Sequence, residues 1–249
     1  EYVAGIWQRN MQVQPAWADT LTAYPQVGSG GANVTCDAYL YRGSVNETFS
    51  TIRAGAGSIA FNSNTSLFVM YLIASGTSNQ FTHLYRSIAT FDTSSLTSGA
   101  NISAATLSMM GSNKTNALGS DDGHIVSATP ASNNAIVSAD YSQLAATSFA
   151  SITYAGWSTT AYNGFVLNAS GLANISKTSI SRFGARGAWD LNNSFTGTWA
   201  SSASSFLWGV AADTAGTTSD PKLVVTYSTE GPAEATVGGL GYQYVTIAP

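Results

Sequence analysis

The sequence predicts an all-β protein, and more narrowly a two-sheet jelly-roll β-sandwich with extension strands at both termini. Helical periodicity is nearly absent, and short runs rich in Val, Ile, Thr, Tyr and Phe recur between clusters of Gly, Ser, Asn and Thr. Hydrophobic residues make up 44% of the chain, which is enough for a packed core, so we expect a folded domain. The spacing of the runs suits a sandwich or jelly roll.

Eight segments have the composition and length of β-strands. In chain order they are residues 38–42, 66–74, 84–91, 105–110, 123–128, 164–167, 205–211 and 222–227. Two short helical turns are also predicted, at residues 141–146 after Ser138 or Asp140 as an N-cap, and at residues 169–177. Neither turn changes the predicted fold class.

The chain is poor in charge. Only 9% of its residues are Asp, Glu, Lys or Arg, against about 25% in an ordinary soluble domain, so the surface must consist largely of hydroxyl and amide groups. The formal net charge is −4 and there is no basic run, which argues against a phosphate-tracking surface for nucleic acid. The longest apolar run, residues 67–74, is far shorter than the roughly 20 residues of a membrane-spanning helix. We expect neither a nucleic-acid partner nor a membrane-spanning segment.

The first residue and the cysteine content bear on the compartment. The chain opens at Glu1 without an initiator Met or a leader-like segment, which fits a mature secreted form. We therefore expect an extracellular or cell-surface location. The single cysteine, Cys36, excludes an intramolecular disulfide and zinc-finger spacing. We interpret it as a small buried apolar residue, with an intermolecular thiol as the alternative.

Five motifs occur in a recognisable order. They are DAYLYRGSVNETFST from Asp37, YRSIATFDTSSLTSGANISAATLSMMG from Tyr85, ADY from Ala139, Trp157 followed by GFVLN, and DPKLVVTY from Asp220. In this order the motifs resemble the DNRLRE-type jelly-roll domain of secreted and surface proteins, over about residues 37–227. The resemblance implies a β-sandwich used on extracellular polymers, cell surfaces or viral appendages as a binding or structural module, without a shared catalytic centre.

Two segments lie outside this domain. We expect an N-terminal arm at residues 1–36, a jelly-roll domain at 37–228 and a C-terminal extension strand at 229–249. Side chains alternate over residues 3–14, and beyond Ile6 one side is largely apolar and the other carries amides, which predicts an amphipathic strand. The expected anchors on the two arms are Trp7, Met11, Val13, Tyr242 and Tyr244.

The arms allow two interpretations. Both can fold back onto their own domain as edge strands, or one can pair with a neighbouring subunit. A contact between subunits of this kind is head-to-tail and yields a filament. The second interpretation predicts a structural subunit of an extracellular filament that polymerises with copies of itself by strand complementation, with residues 1–15 as the donor strand. The alternative is a carbohydrate-binding or adhesin module on a cell or virus surface, with Trp189 and Trp199 as stacking candidates.

The sequence offers little catalytic chemistry. His83 and His124 are the two histidines, and no metal-ligand or nucleophile motif surrounds them. The GSDDGH segment brings Asp121 and Asp122 together in one loop. A tight turn would let these carboxylates share a calcium ion, and the alternative is a solvated turn. We expect no enzyme activity and no cofactor other than this calcium candidate.

Acceptor motifs for N-linked sugar are numerous. The sequence N-x-Ser/Thr occurs eight times, at Asn33, Asn46, Asn64, Asn101, Asn113, Asn168, Asn174 and Asn192. Asn46, Asn64 and Asn113 lie in sequence that is typical of loops, where an attached sugar meets the least steric hindrance. We therefore expect a glycoprotein whose sugars cover part of the uncharged surface.

Glycosylation predicts a mass above that of the bare polypeptide of 25.8 kDa. Intact-mass measurement of native material, before and after enzymatic removal of N-linked sugar, checks this. A native mass equal to that of the polypeptide would contradict it.

Overall fold

A computed structural model describes residues 18–229. This part of the chain contains twelve β-strands and three short α-helices, and every strand pairing is antiparallel. The strands are β1 (Asp19–Ala23), β2 (Asp37–Glu47), β3 (Ile59–Phe61), β4 (Ser66–Ala74), β5 (Phe81–Asp92), β6 (Ala100–Asn116), β7 (Gly123–Ser127), β8 (Ala150–Ile152), β9 (Tyr162–Val166), β10 (Ile180–Gly187), β11 (Ser204–Val210) and β12 (Lys222–Thr229). The helices are α1 (Phe49–Ala54), α2 (Ala169–Ala173) and α3 (Ala188–Asn192).

The all-β prediction is confirmed. The main path of the sheet runs β1-β12-β6-β11-β4-β5-β10-β7-β8, with β9 beside β6, β2 beside β5 and β3 beside β2. The 17-residue strand β6 holds the sheet together, because its first half pairs with β12 and its last part pairs with β11. The sheet is therefore continuous and curls into a half-barrel. The division of the strands into the two packed sheets of a jelly roll stays a prediction.

Each of the eight predicted strands overlaps an observed one, and the bounds of β4 agree with the prediction. The strands β1, β3, β8 and β10 were not predicted. The two predicted helical turns correspond to a short 3-10 helix at Ser138–Ser142 and to α2, where the Asn168 side chain accepts a hydrogen bond from the Gly171 N–H. Helix α1 was not predicted, although the Thr48 side chain caps its N-terminus in the ordinary way.

The described part of the N-terminal arm lies on its own domain. Strand β1 pairs with β12 along its whole length, with Asp19 opposite Tyr227 and Ala23 opposite Leu223. The predicted donor strand, residues 1–15, lies outside the described residues, and so does the C-terminal extension beyond Thr229.

Two apolar cores support the sheet. The first lies inside the curl and includes Leu107, Phe165 and Leu207, each fully buried. The second lies where α1, the 3-10 helix and α3 pack on the sheet, and includes Ile52 and Trp189. The second core also contains Cys36, at 0% exposure and with its thiol free, as the sequence predicted for a small buried residue.

A buried group of charged side chains holds in place the segments that pack over the second core. Asp190, in α3 and 1% exposed, accepts hydrogen bonds at both carboxylate oxygens from Arg86 of β5, each 2.7 Å long. Arg186 of β10 binds the same two oxygens at 2.6 and 2.9 Å. The Arg86 guanidinium also lies over the Tyr141 ring, 3.9 Å from its centroid. One carboxylate thus connects β5, β10 and α3, and Arg86 adds the 3-10 helix.

The ion pairs set the protonation state of Asp190. Burial opposes the charged form, but the adjacent Arg86 and Arg186 guanidiniums outweigh it and lower the pKa of this carboxyl below its ordinary value of 3.8. The carboxylate therefore contributes stability above pH 3.8, and this contribution is lost as the pH falls through the lowered pKa.

Replacing Asp190 with Asn should be strongly destabilising, because it leaves two buried guanidiniums without a counter-charge. The expected loss in the free energy of unfolding is roughly 3 kcal/mol or more, measured by urea denaturation at pH 7. The control is Asp92→Asn, since Asp92 is exposed and its acceptor role toward Ser94 survives in the amide. Equal stability of the two variants would show that the buried network does not hold the fold.

Candidate functional site

Nine aromatic side chains form one connected cluster on the sheet, which we call the aromatic face. Its members are Tyr39, Tyr41, Phe61, Phe68, Tyr71, His83, Tyr85, Phe206 and Trp208. All are partly exposed except Phe68, which is 7% exposed. Apart from Phe206, which packs against the first core, they belong to neither core.

The register of five neighbouring strands, β3-β2-β5-β4-β11, builds this face. Tyr41 lies opposite Tyr85, Tyr85 opposite Tyr71, and Tyr71 opposite Phe206. The ring centroids along this row are 4.6, 4.7 and 5.0 Å apart. Aromatic pairs in direct cross-strand positions are a main source of sheet stability, so the row fastens four strands together.

A register irregularity adds Phe68 and Trp208 to the face. In a regular strand, side chains three residues apart point to opposite sides, so Phe68 and Tyr71 would be separated. The register of β4 and β11 shifts between Leu207 and Trp208, which places Trp208 opposite Phe68. As a result Phe68 contacts Tyr71, with ring centroids 5.2 Å apart, and Trp208, at 5.3 Å.

The face is uncharged, and its rings stand against one another. Burial and the neighbouring tyrosine hydroxyls raise the pKa of Tyr85, and burial lowers that of His83, so both are neutral at pH 7. Tilted or edge-on packing is common, at 41° between Tyr41 and Tyr85 and 65° between Tyr71 and Phe206. Rings packed in this way cover much of each other's flat surface. The arrangement suits apolar side chains of a protein better than a flat sugar ring.

Trp189 and Trp199, the predicted stacking residues, do not form a platform. Trp189 is 5% exposed and lies in the second core, where its Nε1–H donates to the Thr196 hydroxyl. The prediction is therefore wrong for Trp189, because its loop-like sequence does not reveal that α3 packs this side chain into the second core. Trp199 is partly buried against the same core and donates to the Gln80 carbonyl.

The carboxylates of Asp121 and Asp122 accept hydrogen bonds from two different backbone N–H groups. Asp121 Oδ1 accepts from the Trp189 N–H at 3.0 Å, and Asp122 Oδ1 accepts from the Tyr154 N–H at 2.9 Å. Within residues 18–229, no group of three or more His, Cys, Asp or Glu side chains is arranged to hold a metal ion. Calcium at this pair stays a prediction.

The eight sequon asparagines differ in exposure. Asn46, Asn101, Asn113, Asn168 and Asn192 are exposed, and Asn33, Asn64 and Asn174 are partly buried. The Asn174 amide donates to the Arg182 carbonyl, and Asn168 both caps α2 and donates to Ser148. Two sequons border the aromatic face: Asn113 lies opposite Trp208 in the β6–β11 register, and Asn64 Nδ2 lies 3.4 Å from the Tyr39 hydroxyl. Glycosylation itself stays a prediction.

The remaining residues singled out from the sequence are the two histidines and the anchors of the terminal arms. In the described residues no hydrogen bond joins His83 or His124 to a carboxylate; His83 Nε2 accepts from the Ser44 N–H, and His124 Nδ1 lies 2.8 Å from the Ser148 hydroxyl. The anchors Trp7, Met11, Val13, Tyr242 and Tyr244 lie outside the described residues. No described helix has the length and apolar character needed to cross a membrane.

Comparison with known proteins finds no family model that matches the chain and no matching curated protein. The resemblance to the DNRLRE-type domain therefore stays a prediction, as does the absence of enzyme activity.

Tyr85 should contribute more stability than an isolated surface tyrosine, because its ring contacts five others of the face. Tyr85→Leu is expected to lower the free energy of unfolding by about 2 kcal/mol. The matched control is Tyr24→Leu, since Tyr24 is partly exposed and belongs to neither core, and its cost should stay below about 1 kcal/mol. Equal losses in the two variants would show that the cluster adds nothing beyond the burial of each ring.

Proposed function

We propose that this protein is the structural subunit of an extracellular filament or appendage, which polymerises head-to-tail by strand complementation. The observation that carries the proposal is the aromatic face. It is an uncharged cluster of nine aromatic rings, of which eight are partly exposed, on a protein with few charged groups. Exposed apolar patches of this kind mark sites of protein association.

The border of the face offers a place for an added strand. Strand β3 pairs with β2 on one side and with no described strand on the other. Its exposed residue Ile59, at 38%, lies next to Tyr41 in register, and Phe61 lies next to Tyr39. A strand added at this edge gains backbone hydrogen bonds and places alternate side chains beside the aromatic rings.

The edge at β1, one end of the main path of the sheet, is less suited to this role. Strand β1 also has one edge without a described partner, but Asp19, Thr20 and Thr22 are exposed and only Ala23 is buried. A strand added there gains hydrogen bonds but little apolar contact. Of these two edges, β3 is therefore the favoured acceptor.

Residues 1–15 match the β3 edge in character. Their alternation places Trp7, Met11 and Val13 on one side of an extended strand, and this side complements the aromatic face. A donor at one terminus and an acceptor edge elsewhere on the molecule form a heterologous contact, which propagates as a filament. Secretion and sugar decoration, which keep the remaining hydroxyl-rich surface solvated, belong to the same proposal.

A second candidate function is a carbohydrate-binding or adhesin module, and one observation favours it. An open cleft of about 650 Å³ is lined mainly by polar groups, including Asp92, Asn133, Asn134 and Arg182. Such groups suit the hydroxyls of a sugar. Isolated monomers that are retained on polysaccharide would favour this function over assembly.

Deleting residues 1–15 should leave a folded monomer, because it removes the proposed donor strand and leaves the twelve strands and both apolar cores in place. The double variant Tyr39→Ser/Phe61→Ser in the full chain should also fail to assemble, since it removes the aromatic side chains that lie at the β3 edge. Electron microscopy and light scattering measure filament formation, and circular dichroism confirms the fold.

The control is Tyr154→Ser in the full chain, which changes a partly exposed tyrosine away from the face and should leave filaments intact. Filaments formed by the truncated protein would refute residues 1–15 as donor. Filaments formed by the folded double variant would refute the aromatic face as acceptor. Absence of filaments from the wild-type chain under all conditions would refute the function.

A further inference from the structure

Four segments of the chain enclose the open cleft of about 650 Å³, which we call the polar cleft. Its walls come from the loops at residues 33–34 and 130–134, the turn at residues 92–94, and the segment at residues 178–182 that leads into β10. The volume lies within the range of about 300–1,000 Å³ that is usual for small-molecule sites. Most of the lining side chains are hydroxyls and amides.

Hydrogen bonds between the walls hold the polar cleft in shape. The Gly30 N–H donates to the Asn134 carbonyl at 2.7 Å, and the Asn134 side-chain amide donates to the Asn33 carbonyl at 2.5 Å. The buried Thr90 hydroxyl of β5 donates to the Asn133 carbonyl at 2.7 Å. The loop at residues 130–134 is therefore tied both to the sheet and to the opposite loop, so the cleft is formed before any ligand binds.

The guanidinium of Arg182 is the cationic group of the polar cleft. Its Nε–H donates to Asn133 Oδ1 at 2.6 Å, which fixes the plane of the group. Neither Nη1 nor Nη2 donates to another described residue, and none of the ion pairs among residues 18–229 includes Arg182. An oriented guanidinium with two unused nitrogens can donate two parallel hydrogen bonds to a carboxylate.

Asp92 provides a separate acceptor at the border of the polar cleft. Its Oδ1 accepts from the Ser94 hydroxyl at 2.6 Å and from the Ser94 N–H at 3.0 Å. These two bonds lower the pKa of the Asp92 carboxyl below its ordinary value of 3.8, so it is charged at neutral pH. Within the described residues Oδ2 accepts no hydrogen bond, and Asp92 does not pair with Arg182.

We infer that the polar cleft binds a uronic acid residue of an acidic polysaccharide, with the Arg182 guanidinium on the sugar carboxylate and Asp92 Oδ2 accepting a sugar hydroxyl. A carboxylate carries one charge and matches one guanidinium in shape. A phosphate dianion would lack a second cation here and would face the charge of Asp92. An acidic peptide would use a strand edge or an apolar groove, whereas this lining is mostly hydroxyl and amide groups.

This inference rests on the second candidate function and names its ligand. It does not depend on filament assembly, since the aromatic face and the β3 edge contribute no lining residue to the polar cleft. None of the described lining residues is aromatic, so stacking adds nothing to the affinity. The charged pair therefore accounts for most of the selectivity.

The probes are a trimer of galacturonic acid and its methyl ester, titrated into the full chain at low salt by isothermal calorimetry. The ester keeps the sugar and removes the charge. The acid should bind at least tenfold more tightly than the ester, because a hydrogen bond between two charged groups is lost in the ester. Added salt should weaken the binding of the acid, since the pair is accessible to solvent.

Two pairs of variants test the site. Ser179→Glu, at an exposed position in the lining, adds a competing carboxylate and should weaken acid binding at least tenfold, whereas Ser179→Gln should bind as the wild type does. Arg182→Gln should reduce the affinity for the acid to that for the ester. Its control is Lys177→Gln, which removes a nearby cation that does not line the cleft and should have no effect. Thermal unfolding confirms that each variant is folded.

The outcomes separate this inference from the function on which it rests. Equal affinity for acid and ester, equal weakening by Arg182→Gln and Lys177→Gln, or tighter binding of polyglutamate than of the trimer would each overturn the uronate site. Retention of the protein on a neutral polysaccharide would then still support a carbohydrate-binding module. Failure to bind any polysaccharide would reject the uronate site and the second candidate function together.

Discussion

The double ion pair of Asp190 with Arg86 and Arg186 is the interaction on which the rest of the structure depends. Charged groups taken out of water must be paired, and here one carboxylate satisfies two guanidiniums that come from two neighbouring strands. The chain has only nine basic residues, and two of them are buried here, with Arg53 beside them. Because the geometry of these bonds is strict, α3 and the 3-10 helix can cover only one part of the sheet. The aromatic face lies outside this cover.

Local residue pattern accounts for the fold class and for most of the strands. Runs of β-branched and aromatic residues marked β4, β11 and β12 clearly. Strand β10 was missed because its sequence, ISRFGARG, contains two glycines and two arginines; its position is decided by pairing with β5 and β7 and by the partner of Arg186. Tertiary context here outweighs β-propensity. The short strands β3 and β8 have three residues each, too few for a pattern.

The aromatic face could be predicted only in part. Tyr39, Tyr41 and Tyr85 each belong to strands that the sequence identified, but which strands are neighbours cannot be read from one chain. The position of Phe68 depends on a register shift that no local signal announces. The burial of Trp189 could not be predicted for a related reason: its sequence is typical of a loop, but the side chain lies in the second core.

The pairing of β1 with β12 has a consequence for a protein under tension. These strands are antiparallel, and the two terminal segments leave from the same end, where Asp19 lies opposite Tyr227. A force that pulls the two termini apart therefore peels the ladder open from that end, one residue pair after another. Strand β12 keeps its separate pairing with β6, so β1 detaches first while the rest of the sheet stays closed. Detachment of β1 would release five residues of slack, roughly 17 Å of extended chain, before the rest of the sheet bears the load.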